Sequence, residues 1–245
     1  RDFLIVVMDA MGQLFFSISV AMGIMIAYGS YVKKDVNLMK SINRIEFFDT
    51  AVAFLAGMMI IPAVVTFMGK DGMTAGPGLM FVALPKVFEA MGVAGRIIGI
   101  LFFIMVTFAA ATSAISIQEA IVSGVMDKWH LSRKKSTVIT GAYTLIMAIV
   151  VCLGYNLFYF ELPLPNGSVG QILDIMDYLS NNILMPLLAM LECILIGWVA
   201  GPKYVIDEVT LNGEKFGRKT LYIVMVKFVT PVLLLVLLAQ AVGLI

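Results

Sequence analysis

Six stretches of the chain are apolar almost without a break, at residues 3 to 32, 47 to 69, 96 to 126, 137 to 160, 172 to 200 and 220 to 245, and the polar residues gather between them. A hydrocarbon core about 30 Å thick needs about 20 such residues at the helical rise of about 1.5 Å each. In lipid, backbone N–H and C=O groups must find partners within the segment. Continuous apolar runs of this length therefore predict helices, whereas a barrel would show short alternating strands. The pattern predicts an all-α fold, a polytopic transmembrane helical bundle of six spans forming one transmembrane domain over residues 1 to 245.

The segments between the spans differ in kind. The longest, residues 70 to 95, is broken into short pieces by Gly72, Gly76, Pro77, Gly78 and Pro85, yet Leu79 to Met91 is largely apolar. Greasy surface outside the membrane must pack on something, so this loop is expected to fold over the bundle as an extracellular lid. Pro163-Leu164-Pro165-Asn166-Gly167 reads as a turn, and Ser132 as the N-cap of the fourth span.

Composition agrees with the pattern: 61% of residues are apolar, 13% are charged and the mean hydropathy is +0.99, against about 25% charged in a soluble domain. A water-facing shell cannot be built from this. The net charge of +1 gives no field for nucleic acid, but the placement of charge is informative. Twelve of the seventeen basic residues lie in the first, third and fifth loops, Lys33 to Arg44, Lys128 to Lys135 and Lys203 to Lys219, and the fourth loop has none. The positive-inside rule makes the odd loops cytoplasmic and puts both ends of the segment outside, in a multi-pass protein of the cell (plasma) membrane. Trp129 and Trp198 fall near the predicted cytoplasmic ends, where indoles favour the interface. The chain opens Arg1-Asp2-Phe3 with no initiator Met and an outside N-terminus, so it reads as the later part of a longer polytopic protein.

Polar groups inside the spans carry the chemistry, since a charge at the bilayer centre costs at least about 2.5 kcal/mol. The first span places Gln13, Ser17 and Ser19 in its middle, between Gly12 and Gly23. Either the hydroxyls bond back to carbonyls one turn earlier, or the helix is interrupted and hydroxyls and freed carbonyls converge on a ligand. The third span carries Ala109-Ala110-Ala111-Thr112-Ser113-Ala114-Ile115-Ser116. Its small residues suit a helix-packing seam. They equally suit a cation site in which two adjacent hydroxyls and a carbonyl near Ala109 act as hard, neutral ligands for Na⁺. Asp127, Asp174 and Asp177 lie near interfaces, whereas Glu192 sits within the fifth span and should have a partner. Cys152 and Cys193 lie inside spans and read as small apolar fillers.

Taken together, Gly-Gln-Leu-Phe-Phe-Ser (12 to 17), Tyr-Gly-Ser-Tyr-Val-Lys-Lys-Asp (28 to 35), the Ala-Gly and Ile-Pro-Ala-Val elements (56 to 64), Ala-Thr-Ser-Ala-Ile-Ser (111 to 116) and Leu-Ser-Arg-Lys (131 to 134) resemble the neurotransmitter:sodium symporter family of LeuT-like amino acid and amine transporters. The likeness covers essentially the whole chain and is to the family's sixth to eleventh helices. It implies the second inverted repeat of a LeuT-like fold plus one helix, with one discontinuous helix, in a symporter that imports an amino acid or related amine with Na⁺. It also implies that the N-terminal helices of the same transporter are partners missing from these residues, and that the chain alone should not transport. By the same likeness, Ser17 is a ligand of a first sodium, with Asp49 near the position where many members place an Asn. Ala109, Thr112 and Ser113 form a second sodium site. Phe16 is an aromatic lid over the substrate, Ser17, Ser19, Met22, Ser113 and Ile117 line the pocket, Asp177 is the outer-gate acid and Asp127 the inner-gate acid. A carboxylate at Asp49 could supply the negative charge that chloride supplies in some members, which implies chloride-independent transport. Ala21 departs from the Gly common in the family's unwound segment, and Met22 from a frequent aromatic.

Other function classes fit less well. The only His, His130, lies in a loop and no Ser has a base at helical spacing, so an intramembrane enzyme lacks its catalytic set. A structural or channel-like helical bundle without coupled transport is the alternative, and it leaves Glu192 and the polar clusters without a shared purpose.

Overall fold

The computed structural model describes residues 3–69 and 78–244. The first span is two helices, α1 (Phe3–Ser17) and α2 (Ile24–Tyr31), with six non-helical residues between them. Helix α3 (Leu38–Met68) follows, then a π-helical turn at Leu79–Ala83 that runs into α4 (Leu84–Ala90). Helices α5 (Gly92–Trp129) and α6 (Arg133–Leu153) come next, then strands β1 (Leu162–Pro163) and β2 (Val169–Gly170). Helix α7 (Ile172–Asp177) continues through a π turn at Tyr178–Leu184 into α8 (Met185–Ile194) and a second π turn at Leu195–Val199. The chain closes with α9 (Pro202–Val209), then α10 (Lys219–Val224), a π turn at Met225–Val229 and α11 (Thr230–Ala241).

Among the described residues, five helical rods are long and apolar enough to cross a membrane: Leu38–Met68, Gly92–Trp129, Arg133–Leu153, Ile172–Val199 and Lys219–Ala241. With α1 and α2 as a further, interrupted rod, they lie over the apolar stretches with shifted bounds: α3 starts at Leu38 instead of residue 47, and α5 runs from Gly92 to Trp129 instead of from 96 to 126. The fourth span ends at Leu153 instead of residue 160, because Gly154 closes the helix and Tyr155, Phe158, Tyr159 and Phe160 follow as an aromatic run of the kind that sits at headgroup level. The expected lid loop already contains the start of α5 at Gly92, and its residues 70 to 77 lie outside the described residues. Ser132 does occupy the N-cap of α6 with extended backbone, but its carbonyl accepts the Ser136 amide and its hydroxyl makes no capping bond.

Each π turn comes just before a proline: Pro85, Pro186, Pro202 and Pro231 lie two or three residues past their ends. At Pro85, Pro186 and Pro231, inside continuing rods, proline lacks an N–H and its ring presses on the carbonyl four residues back, so widening the preceding turn relieves the clash while keeping backbone groups paired. Pro202 instead opens α9 after Gly201, where a missing N–H costs nothing.

The chain divides into two compact units, Lys40–Ile115, and Arg1–Met39 with Ser116–Ile245. In the smaller unit Val64 of α3 packs with Leu84 and Val87 of α4, with Leu79, Phe88 and Phe102 around them. One face of residues 79 to 91, with Ala83, Leu84 and Val87, is thus buried against α3 and α5, while Phe81 and Val82 remain exposed. Gly95 and Gly99 make this approach possible, because a Cβ on Gly95 would fall on the Phe88 carbonyl oxygen and one on Gly99 would press the Phe88 ring.

In the larger unit α8 packs along α11, with Leu234, Met185 and Ala189 buried. Tyr178 Oη donates to the Ala241 carbonyl at 2.7 Å, while Trp198 Nε1 donates to the Lys227 carbonyl at 3.3 Å near the other end, so the two rods run antiparallel. Helices α5 and α6 are joined by polar contacts. Gln118 Nε2 donates to Thr140 Oγ1 at 2.5 Å, and Gln118 Oε1 accepts from Thr144 Oγ1 at 3.1 Å. Thr140, itself buried, passes its proton to the Ser136 carbonyl at 2.8 Å. Gln118→Leu would leave both threonines short of a partner. Interhelical hydrogen bonds in membranes are worth about 1 to 2 kcal/mol, so a melting measurement in detergent should show a loss of that size. Unchanged stability would mean that the threonines find other partners.

Candidate functional site

The break in the first span has a definite construction. At the end of α1 the Val20 amide donates to Phe15 O at 3.0 Å and the Ser19 amide to Phe16 O at 3.1 Å, the paired bonds of a Schellman ending with Ser19 in the left-handed position, φ 57°. Ala21 (φ 57°) and Gly23 (φ 76°) repeat the left-handed turn before α2 starts. A side chain at positive φ costs about 1 to 2 kcal/mol. Two such residues, Ser19 and Ala21, hold the segment non-helical, and no backbone amide of the described residues donates to the carbonyls of residues 18 to 22. Of the two readings of Ser17 and Ser19, the structure has the interrupted helix. It puts Ser17 at the last turn of α1, with Ser19 and Met22 in the break. The Ala21 departure does not abolish the break, since alanine itself takes up the left-handed backbone.

Phe16 lines a cavity of about 520 Å³ between α1, the α7–α8 rod and α11. Asp177 lines the same cavity, and Asn181 Nδ2 donates to its Oδ1 at 2.5 Å. The polar wall is completed by Gln13, Asn182 and Gln240. Sequence reasoning reached Phe16, Asp177 and Gln13 and missed Asn181, Asn182 and Gln240. Asn181 and Asn182 carried a signal, being adjacent amides one turn after an acid in an apolar run.

A second group in the larger unit ties α2 to α5 and α6. Tyr28 Oη and Ser116 Oγ lie 2.5 Å apart, and Tyr31 Oη donates to Glu119 Oε1 at 2.7 Å. Arg133 Nη2 pairs with Glu119 Oε2 at 2.6 Å. The tyrosines are three residues apart and so are their acceptors, which fits two helices running side by side in the same direction. That shared spacing was readable in the sequence but ambiguous without the pairing. Nearby, Asn212 Nδ2 donates to the Lys34 carbonyl at 2.6 Å, joining the first and fifth loops. Ile117, on the neighbouring face of α5, is 45% exposed, and Asp127 further along α5 is exposed.

In the smaller unit Thr112 Oγ1 donates to the Ala109 carbonyl at 2.9 Å. Both residues, with Ser113, lie on an uncovered part of α5, and Asp49 lies half-buried on α3. The set is of hard, neutral oxygens, and among the described residues no group of three or more His, Cys, Asp or Glu could hold a metal. A wider groove of about 910 Å³, lined by Phe88, Phe103, Ile104 and Phe108, is larger than the cavity at Asp177 but contains none of the predicted site residues. Among the described residues no hydrogen bond or ion pair reaches Glu192, so its expected partner is not among them.

A polytopic helical membrane protein with one span broken at its middle, a hydroxyl pair beside a free-standing small-residue face and acids toward the helix ends has the architecture of a secondary transporter. Residues 4–244 match the family described as Sodium:neurotransmitter symporter family, and the chain belongs to it. It is 32% identical over 213 residues to an uncharacterized sodium-dependent transporter of Methanocaldococcus jannaschii, covering 84% of this chain and 41% of that protein. It is 34% identical over 231 residues to an uncharacterized sodium-dependent transporter of Haemophilus influenzae, covering 93% of this chain and 48% of the relative. Among solved structures it is similar to MhsT in complex with L-phenylalanine, with a TM-score of 0.83 and 33% identity, covering 96% of this chain and 51% of that one. The fold is therefore LeuT-like, and the chain spans about half the length of the relatives it matches.

Proposed function

We propose that these residues are the later part of a sodium-coupled symporter that carries an amino acid or related amine inward across the plasma membrane, with both ends of the segment outside. The observation that carries the reading is the break at residues 18 to 22, where among the described residues no backbone amide donates to the carbonyls, in the middle of an apolar rod where partnerless backbone would otherwise be costly. The similarity to a transporter structure holding L-phenylalanine supports an amino acid as cargo.

In this reading Ser17, with Asp49, contributes to a first sodium site, and the Ala109 carbonyl with the Thr112 and Ser113 hydroxyls to a second. Phe16 closes over the substrate, and Ser17, Ser19, Met22, Ser113 and Ile117 line its pocket. Asp177 and Asp127 are the outer and inner gate acids, each awaiting a cationic partner from the other half of the transporter. Sodium coupling follows from linkage: ions that favour the state competent for substrate raise substrate affinity, and substrate raises theirs by the same factor. The test is uptake by the full-length protein in proteoliposomes, which should require an inward sodium gradient and stop when choline replaces sodium.

A fixed carboxylate at Asp49 supplies a negative charge beside the first sodium, so transport should not depend on chloride. Replacing chloride with gluconate is expected to leave uptake within about twofold, a change too small to reflect a lost ion site. A steep loss would remove the chloride-independent reading while leaving the sodium reading intact.

A further inference from the structure

Asp177 ends α7, and the turn that follows it is widened to π over Tyr178–Leu184 ahead of Pro186. That turn is fixed from two directions. Tyr178 Oη bonds the Ala241 carbonyl at 2.7 Å, and Ser180 Oγ donates to the carbonyls of Met176 at 2.7 Å and Asp177 at 3.3 Å. With Tyr178 and Ser180 occupied by backbone acceptors, the side-chain donors left in the turn are the amides of Asn181 and Asn182, and it is Asn181 whose Nδ2 reaches Asp177 Oδ1, at 2.5 Å. Among the described residues no hydrogen bond reaches Oδ2. Both residues line the 520 Å³ cavity that also holds Phe16.

We propose that Asn181 is a positioning residue for Asp177: it holds one carboxylate oxygen and so presents the other, in one rotamer, to whatever cation closes over the cavity. The proposal rests on the reading of Asp177 as the outer-gate acid. The chemistry is directional. A neutral amide N–H donated to a carboxylate fixes its geometry without neutralising its charge, whereas a lysine or arginine at 181 would consume the charge that the gate needs. An acid free to rotate must be ordered at each closure, which slows closure but does not alter contacts at the substrate pocket.

The experiment is transport kinetics of the full-length protein in vesicles with N181L, N181Q, D177N and N181L/D177N, after surface expression is matched. N181L should lower maximal uptake about fivefold, the scale of a lost bond to a charged group discounted for exposure, while the half-saturating substrate concentration stays within about twofold. N181Q, whose longer amide can still reach an acid four residues earlier, should restore uptake. In the D177N background N181L should add nothing. If N181L fails to reach the membrane, N181S, too short to bridge, carries the same expectation. An equal loss in the D177N background, failure of N181Q to rescue, or wild-type uptake by N181L beside a D177N that has lost it would each overturn the positioning role. Wild-type uptake by D177N would remove the gate reading itself, and the positioning role with it.

Discussion

Thr112→Ala in the full-length protein is expected to raise the sodium concentration for half-maximal uptake by about tenfold, the weight of one hard oxygen lost from a cation's shell. The Thr112 hydroxyl lies 2.9 Å from the Ala109 carbonyl, so the two oxygens form a ready-made pair on one turn of α5, with Ser113 beside them. Thr112 lies on an exposed face of α5, so its replacement by alanine removes the hydroxyl without opening a void. Maximal uptake at saturating sodium should largely persist. Thr112→Ser keeps the oxygen and should keep the sodium dependence, which separates a ligand from a packing role. Measuring uptake against sodium at fixed substrate decides the matter: an unshifted curve for T112A would remove this residue from the sodium site.

Glu119→Gln is the second large effect expected. The carboxylate takes a bond from Tyr31 at 2.7 Å on one oxygen and from Arg133 at 2.6 Å on the other, so a single side chain ties α2 to α5 and α6. Arg133 is 62% exposed while Glu119 is only 17% exposed, and a fully exposed pair would count for little. The effect therefore rests on the shared acid and not on the ion pair alone. The amide keeps shape and one acceptor but loses the charge that holds Arg133. If α2 moves against α5 during transport, loosening this tie shifts the balance of conformations. Apparent sodium affinity should then weaken by at least about fivefold, the lower end of ordinary coupling between two states. Tyr31→Phe should do less, and the double variant should fall short of the product of the two effects, because both act through one carboxylate. Wild-type sodium dependence in E119Q would reduce the group to a surface ion pair.

The apolar runs made the spans legible because a helix in lipid has no alternative partner for its backbone, so length and composition nearly settle the element. The bound at residue 160 was misplaced because aromatic residues are apolar by composition yet sit at the interface, and a hydropathy pattern does not separate the two settings. The interrupted first span was half legible. Gly12, Gly23, Ser17 and Ser19 marked the place, but Ser19 and Ala21 in the left-handed region could not be read from residue types that seldom adopt it.

The π turns show the same division. Pro85, Pro186, Pro202 and Pro231 announce disturbed helices, and only the built chain shows a wide turn ahead of each, with the rod continuing past Pro85, Pro186 and Pro231 and a new helix starting at Pro202. Pairings were harder still. Gln118 with Thr140 and Thr144, Tyr31 with Glu119, and Asn181 with Asp177 are contacts among ordinary polar residues. Two of the three join residues more than twenty positions apart.

Local order of apolar and polar residues was thus enough for a polytopic helical membrane protein with a weak point in its first apolar stretch, because each segment satisfies its backbone by itself. Which tyrosine meets which glutamate, and which threonines meet Gln118, depended on how the helices lie against one another. Those contacts are set by packing between distant segments, and no window of sequence contains both partners.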